Sequence, residues 1–286
     1  MRTPFDGPLV TEAWILDRAP GDLVLVDVRW EPDGDVQEAF ERGHLPDAVL
    51  MDVDEDLAAP PGEGPGRHPL PSPEAFARTM TRAGIGADTA VVAYDPERGS
   101  LAARLWWMLD VLGHPVSLLD GGMTAWSGSL ETGPGREPTP RFFTSRAWPP
   151  DRIVDARAVR AAVSQGSSVL VDARSGERYR GETEPIYDVA GHIPGARNLP
   201  WADVHDPTSG RFLGSDALRE RFRVVGVSDG RQMIAQCGSG VTACTDLLAL
   251  RVAGMADARL YVGSWSDWIA DPERPVVTGE DPGSPS

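Results

Sequence analysis

Short apolar runs alternate with stretches of helical spacing along the whole chain. Leu23-Val24-Leu25-Val26 and Val169-Leu170-Val171 read as buried strands, as do residues 89–94 and 232–236. Leu101 to Leu112 and Val241 to Ala253 carry apolar residues at helical intervals, and Gly113 and Gly254 supply plausible stops. Strands alternating with helices imply a parallel sheet covered on both faces, so the expected class is α/β.

The same pattern is written twice. Leu25-Val26-Asp27-Val28-Arg29 recurs as Leu170-Val171-Asp172-Ala173-Arg174, and Gly43-His44-Leu45-Pro46-Asp47-Ala48 recurs as Gly191-His192-Ile193-Pro194-Gly195-Ala196. Val91 to Asp95 matches Met233 to Cys237, and Gly121 to Trp126 matches Gly263 to Trp268. Matches in one order at nearly constant offset, with a period too long for a solenoid, mark a duplicated domain. The expected boundaries are residues 1–128 for the first copy and 151–278 for the second. Residues 129–150, rich in Gly, Pro and Thr, form the expected linker, and residues 279–286 a polar tail.

Composition removes several kinds of chemistry. A formal net charge of −16 disfavours nucleic acid as a partner. All 27 basic residues are arginine. Without lysine there is no Schiff base, no pyridoxal phosphate linkage and no P-loop lysine. Two cysteines and five histidines, with no HExxH, give little support for a metal site or a disulfide framework. No metal or cofactor is expected. No apolar run approaches the roughly 18 residues of a membrane span. The N-terminal residues show no apolar signal region, so the expected compartment is the cytoplasm.

The candidate chemistry gathers at Cys237. It follows the strand ending at Gln236 and opens the loop Cys237-Gly238-Ser239-Gly240-Val241-Thr242. In a parallel sheet this junction of strand end and helix start is where ligands collect. The two glycines permit a tight curve that turns backbone N–H groups toward the sulfur, and the following helix adds its positive end. Both effects favour thiolate over thiol. A core thiol is the bland alternative, but the matching position in the first copy is the charged Asp95. Cys244, inside the apolar helix, reads as packing.

This loop resembles the active-site loop of the rhodanese superfamily, most closely its 3-mercaptopyruvate sulfurtransferase branch. Val171 to Arg174, Gly191 to Ala196 and Tyr261 to Trp265 support the resemblance, which covers nearly the whole chain. It implies two tandem rhodanese-like domains, with catalysis in the second. A sulfur carried as persulfide on Cys237 would pass to cyanide, a thiol or thioredoxin. Asp95 cannot carry sulfane sulfur, so the first copy is expected to be silent.

The loop positions Gly238 and Ser239 are neutral, where the thiosulfate-preferring branch is typically cationic; a monoanionic donor such as 3-mercaptopyruvate fits better. The resemblance assigns donor binding to Arg178, in Gly176-Glu177-Arg178-Tyr179, with Gly238, Gly240, Val241 and Thr242. The branch usually carries a second arginine nine positions on, where this chain has Tyr187; Arg180 substitutes, the carboxylate is held less tightly, or the donor differs. The resemblance also implies a Ser-His-Asp relay, for which Ser239, His44 and Asp35 are the candidates, with Asp33 as a rival to Asp35. His192, Arg29 and Arg174, repeated between copies, read as structural, and the paired tryptophans as packing.

Three other readings remain. Thiosulfate:cyanide sulfurtransferase activity is the first. A non-catalytic sulfur carrier or binding module is the second. A cysteine-dependent phosphatase is the third, and it fails because Ala243 stands where that chemistry needs arginine.

Overall fold

In the computed structural model, which describes residues 4–18, 21, 23–32, 34–255 and 258–284, the apolar runs become the centres of two five-stranded parallel sheets. The first unit contains the described residues up to Pro60, Leu70–Pro149 and Asp206–Phe212. The second contains Pro61–Pro69, Pro150–His205 and the described residues from Leu213 onward. Each half of the sequence thus contributes a short segment to the other unit.

In the first unit, β1 (Leu9–Val10), β2 (Leu23–Arg29), β3 (Val49–Asp52), β4 (Ala90–Tyr94) and β5 (Val116–Leu119) are ordered β1-β5-β4-β2-β3. Helices α1 (Glu12–Leu16), α2 (Val36–Glu41), α3 (Val53–Asp56), α4 (Pro73–Arg82) and α5 (Ala102–Val111) connect them. In register, Leu25 lies beside Val92 and Val26 beside Ala93. These strands are buried along almost their whole length, which is why they read as unbroken apolar runs. Ser72 caps α4 by accepting the Ala75 N–H, and Pro73 begins the helix without needing a donor.

The second unit repeats this plan. β6 (Ile153–Val154), β7 (Val169–Asp172), β8 (Arg197–Asn198), β9 (Met233–Gln236) and β10 (Arg259–Tyr261) are ordered β6-β10-β9-β7-β8. Its helices are α6 (Ala156–Ser164), α7 (Gly176–Arg180), α8 (Ser215–Val224), α9 (Ala243–Val252) and α10 (Ser264–Trp268). Gly113 and Gly254, at φ +71° and +72°, end α5 and α9 as expected. Among the described residues no helix is long and apolar enough to cross a membrane.

The repeated motifs perform the same structural work in both copies. Arg29 forks onto Asp27 and donates to the Gly43 carbonyl at 2.7 Å. Arg174 does the same with Asp172 and the Gly191 carbonyl, also at 2.7 Å. His44 stacks on Phe40 and pairs its Nδ1 with the Phe40 carbonyl, as His192 stacks on Tyr179 and pairs with the Tyr179 carbonyl. Trp107 and Trp265 are fully buried, in keeping with packing. Residues 129–149 contain no regular helix or strand, yet they are bonded along the first unit. Glu131 exchanges backbone bonds with His44, and Arg141 donates to the Thr81 carbonyl.

Candidate active site

Cys237 follows the carboxyl end of β9, and its thiol and its backbone are each held by neighbouring groups. The Gly240 N–H points at Sγ from 3.1 Å. That approach requires glycine: φ at 240 is +78°, and a Cβ there would lie 2.4 Å from the Val262 carbonyl oxygen. Behind the loop, the Cys237 N–H donates to Ser264 Oγ at 3.1 Å, and Ser264 Oγ donates to the Tyr261 carbonyl at 2.8 Å. Ser264 adopts φ +53°, a costly conformation for a residue with a side chain, and it anchors the nucleophile's backbone. Trp265 N–H and Ser266 N–H cap the carbonyls of Cys237 and Gly238. The loop is fixed before any ligand arrives.

The expected loop residues therefore come together. Gly238, Ser239, Gly240 and Val241 are buried around Cys237, and Thr242 is the N-cap position of α9. Cys244 lies in the first turn of that helix, nearer the loop than the pattern suggested, and its thiol donates to the Gly240 carbonyl at 3.4 Å. Both cysteines are free thiols.

Arg178 lies beside this loop on α7. A Cβ on Gly238 would come 3.6 Å from its Nη2 and 3.4 Å from the Tyr187 hydroxyl. Glu184 holds the guanidinium through Nε at 3.2 Å and Nη2 at 2.7 Å, and also faces Arg174 at 3.4 Å. Arg180 forks onto Glu182 at 2.8 and 2.9 Å, so its guanidinium is engaged there. Tyr187 donates its hydroxyl to the Gly238 carbonyl at 3.0 Å.

The relay expected of Ser239, His44 and Asp35 needs correction. Ser239 Oγ is 2.7 Å from Nδ1 of His68, both side chains being buried. His44 is instead the Phe40-stacked residue of the first unit, with Nε2 3.9 Å from Glu131. Asp35 is the N-cap of α2, accepting the Glu38 N–H at 3.0 Å. Its rival Asp33 lies outside the described residues. The physical reason is the repeat itself: His44 has a twin in His192, and a twinned histidine serves the fold. His68 has no counterpart in the repeated motifs, a signal that could have singled it out.

One further buried group faces this chemistry. Asp246, in the first turn of α9, is fully buried, and among the described residues neither carboxyl oxygen has a hydrogen-bond partner. Burial pushes its pKa well above the ordinary carboxylate range, and the neighbouring Cys237 and Asp172 add to the shift.

The sequence pattern of the Rhodanese-like domain matches residues 11–129 and again 155–271. The chain is 42% identical to a Pseudomonas aeruginosa protein called "Probable 3-mercaptopyruvate sulfurtransferase", over 91% of this chain and 93% of that one. It is also 42% identical to a Mycobacterium tuberculosis protein called "Putative thiosulfate sulfurtransferase SseB", over 91% and 92% of the two chains. Among solved structures, the 3-mercaptopyruvate sulfurtransferase SseA of Escherichia coli superposes with a TM-score of 0.78 at 33% identity, covering 91% of this chain and 99% of SseA.

Proposed function

Because the chain belongs to the rhodanese family, as a tandem of two rhodanese-like domains, we propose that it moves sulfane sulfur from 3-mercaptopyruvate to a thiophilic acceptor through a Cys237 persulfide. The enzyme is a sulfurtransferase. The observation that carries the reading is the Cys237 thiol under the Gly240 N–H, with the His68–Ser239 pair on the same loop.

The chemistry follows from these groups. The Cys237 thiolate attacks the donor sulfur, and the donor's carbon–sulfur bond breaks with its electron pair on carbon. The resulting pyruvate enolate takes up the proton given up by the donor thiol, and the sulfur stays on Cys237 as a persulfide. Ser239 and His68 supply a route for that proton, an imidazole being suited to the task near neutral pH. Cyanide then attacks the outer sulfur, the sulfur–sulfur pair returns to Cys237, and thiocyanate leaves. A small thiol or thioredoxin would accept sulfur in the same way. Gly240 N–H and the start of α9 favour negative sulfur throughout.

Neutral Gly238 and Ser239, with Arg178 nearby, suit a monoanionic carboxylate better than dianionic thiosulfate. Thiosulfate is the second reading, favoured by the likeness to SseB. Two free thiols fit a reducing compartment, and we place the reaction in the cytoplasm. The test is thiocyanate production from each donor, in wild type and Cys237→Ser. Turnover with mercaptopyruvate that disappears in the variant supports the reading. Preference for thiosulfate exchanges the donor, and no turnover with either donor leaves a carrier.

A further inference from the structure

Three consecutive residues of the segment Pro61–Pro69 touch either the nucleophile's loop or the Gly263–Ser266 turn bonded to it. At Gly66 the backbone packs so closely on the second unit's own turn that a Cβ would lie 2.4 Å from the Gly263 carbonyl oxygen and 2.7 Å from Ser266 Oγ. At Arg67 the N–H donates to Ser266 Oγ at 3.0 Å, while the Ser266 N–H donates to the Gly238 carbonyl at 2.9 Å. At His68 the imidazole meets Ser239. The main chain of Arg67 is therefore two hydrogen bonds away from the residue that follows Cys237.

From that fixed point the Arg67 side chain turns toward Tyr187. Its guanidinium carbon lies 5.5 Å from the ring centroid, and that of Arg178 lies 5.9 Å from the same centroid. Tyr187 cannot drift, because its hydroxyl is bonded to the Gly238 carbonyl. Burial pushes the phenol's pKa up, and the positive charges of Arg67 and Arg178 pull against that rise. Two arginines thus converge on one aromatic ring beside the nucleophile's loop. Arg178 has given its Nε–Nη2 edge to Glu184, so a carboxylate meeting it has only part of the guanidinium fork to use.

We propose that Arg67 is a donor-binding residue which, with Arg178 and across the ring of Tyr187, holds the carboxylate of the sulfur donor. This assignment rests on the donor read above, a thiol bearing a 2-oxo carboxylate. It makes donor selectivity depend on a residue outside the catalytic repeat.

The experiment measures steady-state sulfur transfer to cyanide in the full chain, for wild type, Arg67→Gln and Arg67→Lys. The donors are 3-mercaptopyruvate and mercaptoacetone, the same thiol ketone without the carboxylate. Losing one charged hydrogen-bonding partner predicts a KM for mercaptopyruvate raised about 10- to 100-fold in Arg67→Gln, with kcat within about threefold. Arg67→Lys recovers part of that loss, and the preference for mercaptopyruvate over mercaptoacetone narrows by about the same factor in Arg67→Gln. An unchanged KM overturns the assignment. So does an equal loss with both donors, or a fall in kcat alone, either of which would make Arg67 a support for the loop. Wild type that uses thiosulfate and refuses mercaptopyruvate removes the donor reading itself, whereas active wild type with an indifferent Arg67→Gln removes this assignment alone.

Discussion

At the end of β4 the chain places a carboxylate, and at the end of β9 a thiol. The two loops that follow treat these groups differently. Asp95 Oδ1 accepts the N–H groups of Glu97 and Gly99 at 3.0 and 2.9 Å, and Oδ2 accepts those of Leu101 and Ala102 at 2.8 and 2.9 Å. Four backbone donors converge on one built-in anion. In the other loop, Gly240 N–H converges on Cys237 Sγ, and the neighbouring positions are small. Both copies thus aim backbone N–H at a side chain beyond a strand end, four groups at Asp95 and that of Gly240 at Cys237 Sγ. In the first copy the acceptor is a carboxylate, and in the second it is sulfur.

The largest break of this comparison is at the two anions. Cys237→Ser should lower thiocyanate formation at least about a thousandfold, while Asp95→Ser leaves turnover within about twofold. Comparable losses in a steady-state assay would place chemistry in both units. The histidines sharpen the contrast next. His68→Ala should lower turnover about a hundredfold, as expected for loss of a proton carrier. His44→Ala and His192→Ala, which remove matched stacking and hydrogen bonds, should each cost about 1–2 kcal/mol of stability and leave the proton path intact. Melting temperatures beside rates would separate the two classes, and a rate loss in His44→Ala matching that of His68→Ala would sink the distinction.

Gly240→Ala should slow turnover about tenfold or more, because the backbone must move and carry its N–H away from the sulfur. A normal rate would show that this bond does not matter to the reaction. The smallest effect is a pH slope. Burial pushes the Asp95 pKa up to about 6, against the pull of the N–H groups around it. An acid raised on folding stabilises the fold while protonated. That stability is complete below the ordinary carboxylate range and is lost as pH rises through about 6. The stability difference between wild type and Asp95→Ala should therefore change between pH 5 and pH 7 by roughly 1 kcal/mol. A difference that stays constant would mean that Asp95 does not titrate in this range.

Much of this architecture was legible as pattern. The central strands β2, β4, β7 and β9 are apolar because both faces are covered, so periodicity finds them. The helices α5 and α9 were legible with their glycine stops. The edge strands β1, β6 and β8 were not, since two residues carry no period. At the site, Cys237, its loop and Arg178 could be read from a local motif. Arg67 could not, because it reaches the loop from irregular chain where apolar spacing does not constrain position; His68 was marked only by standing outside the repeated motifs, and Tyr187 only by replacing an expected arginine. His44 drew attention through its motif, yet the motif's recurrence was the evidence that it belongs to the fold. Legibility ended where a contact depends on long-range chain placement.

The segment Pro61–Pro69 also bears on the autonomy of the second repeat. Here the first half of the sequence encodes nine residues that fold with the second unit. A gene trimmed at the repeat boundary would specify a protein with its thiol but with neither His68 nor Arg67. The second repeat is therefore not a self-sufficient module: its compact unit is completed by chain that precedes it.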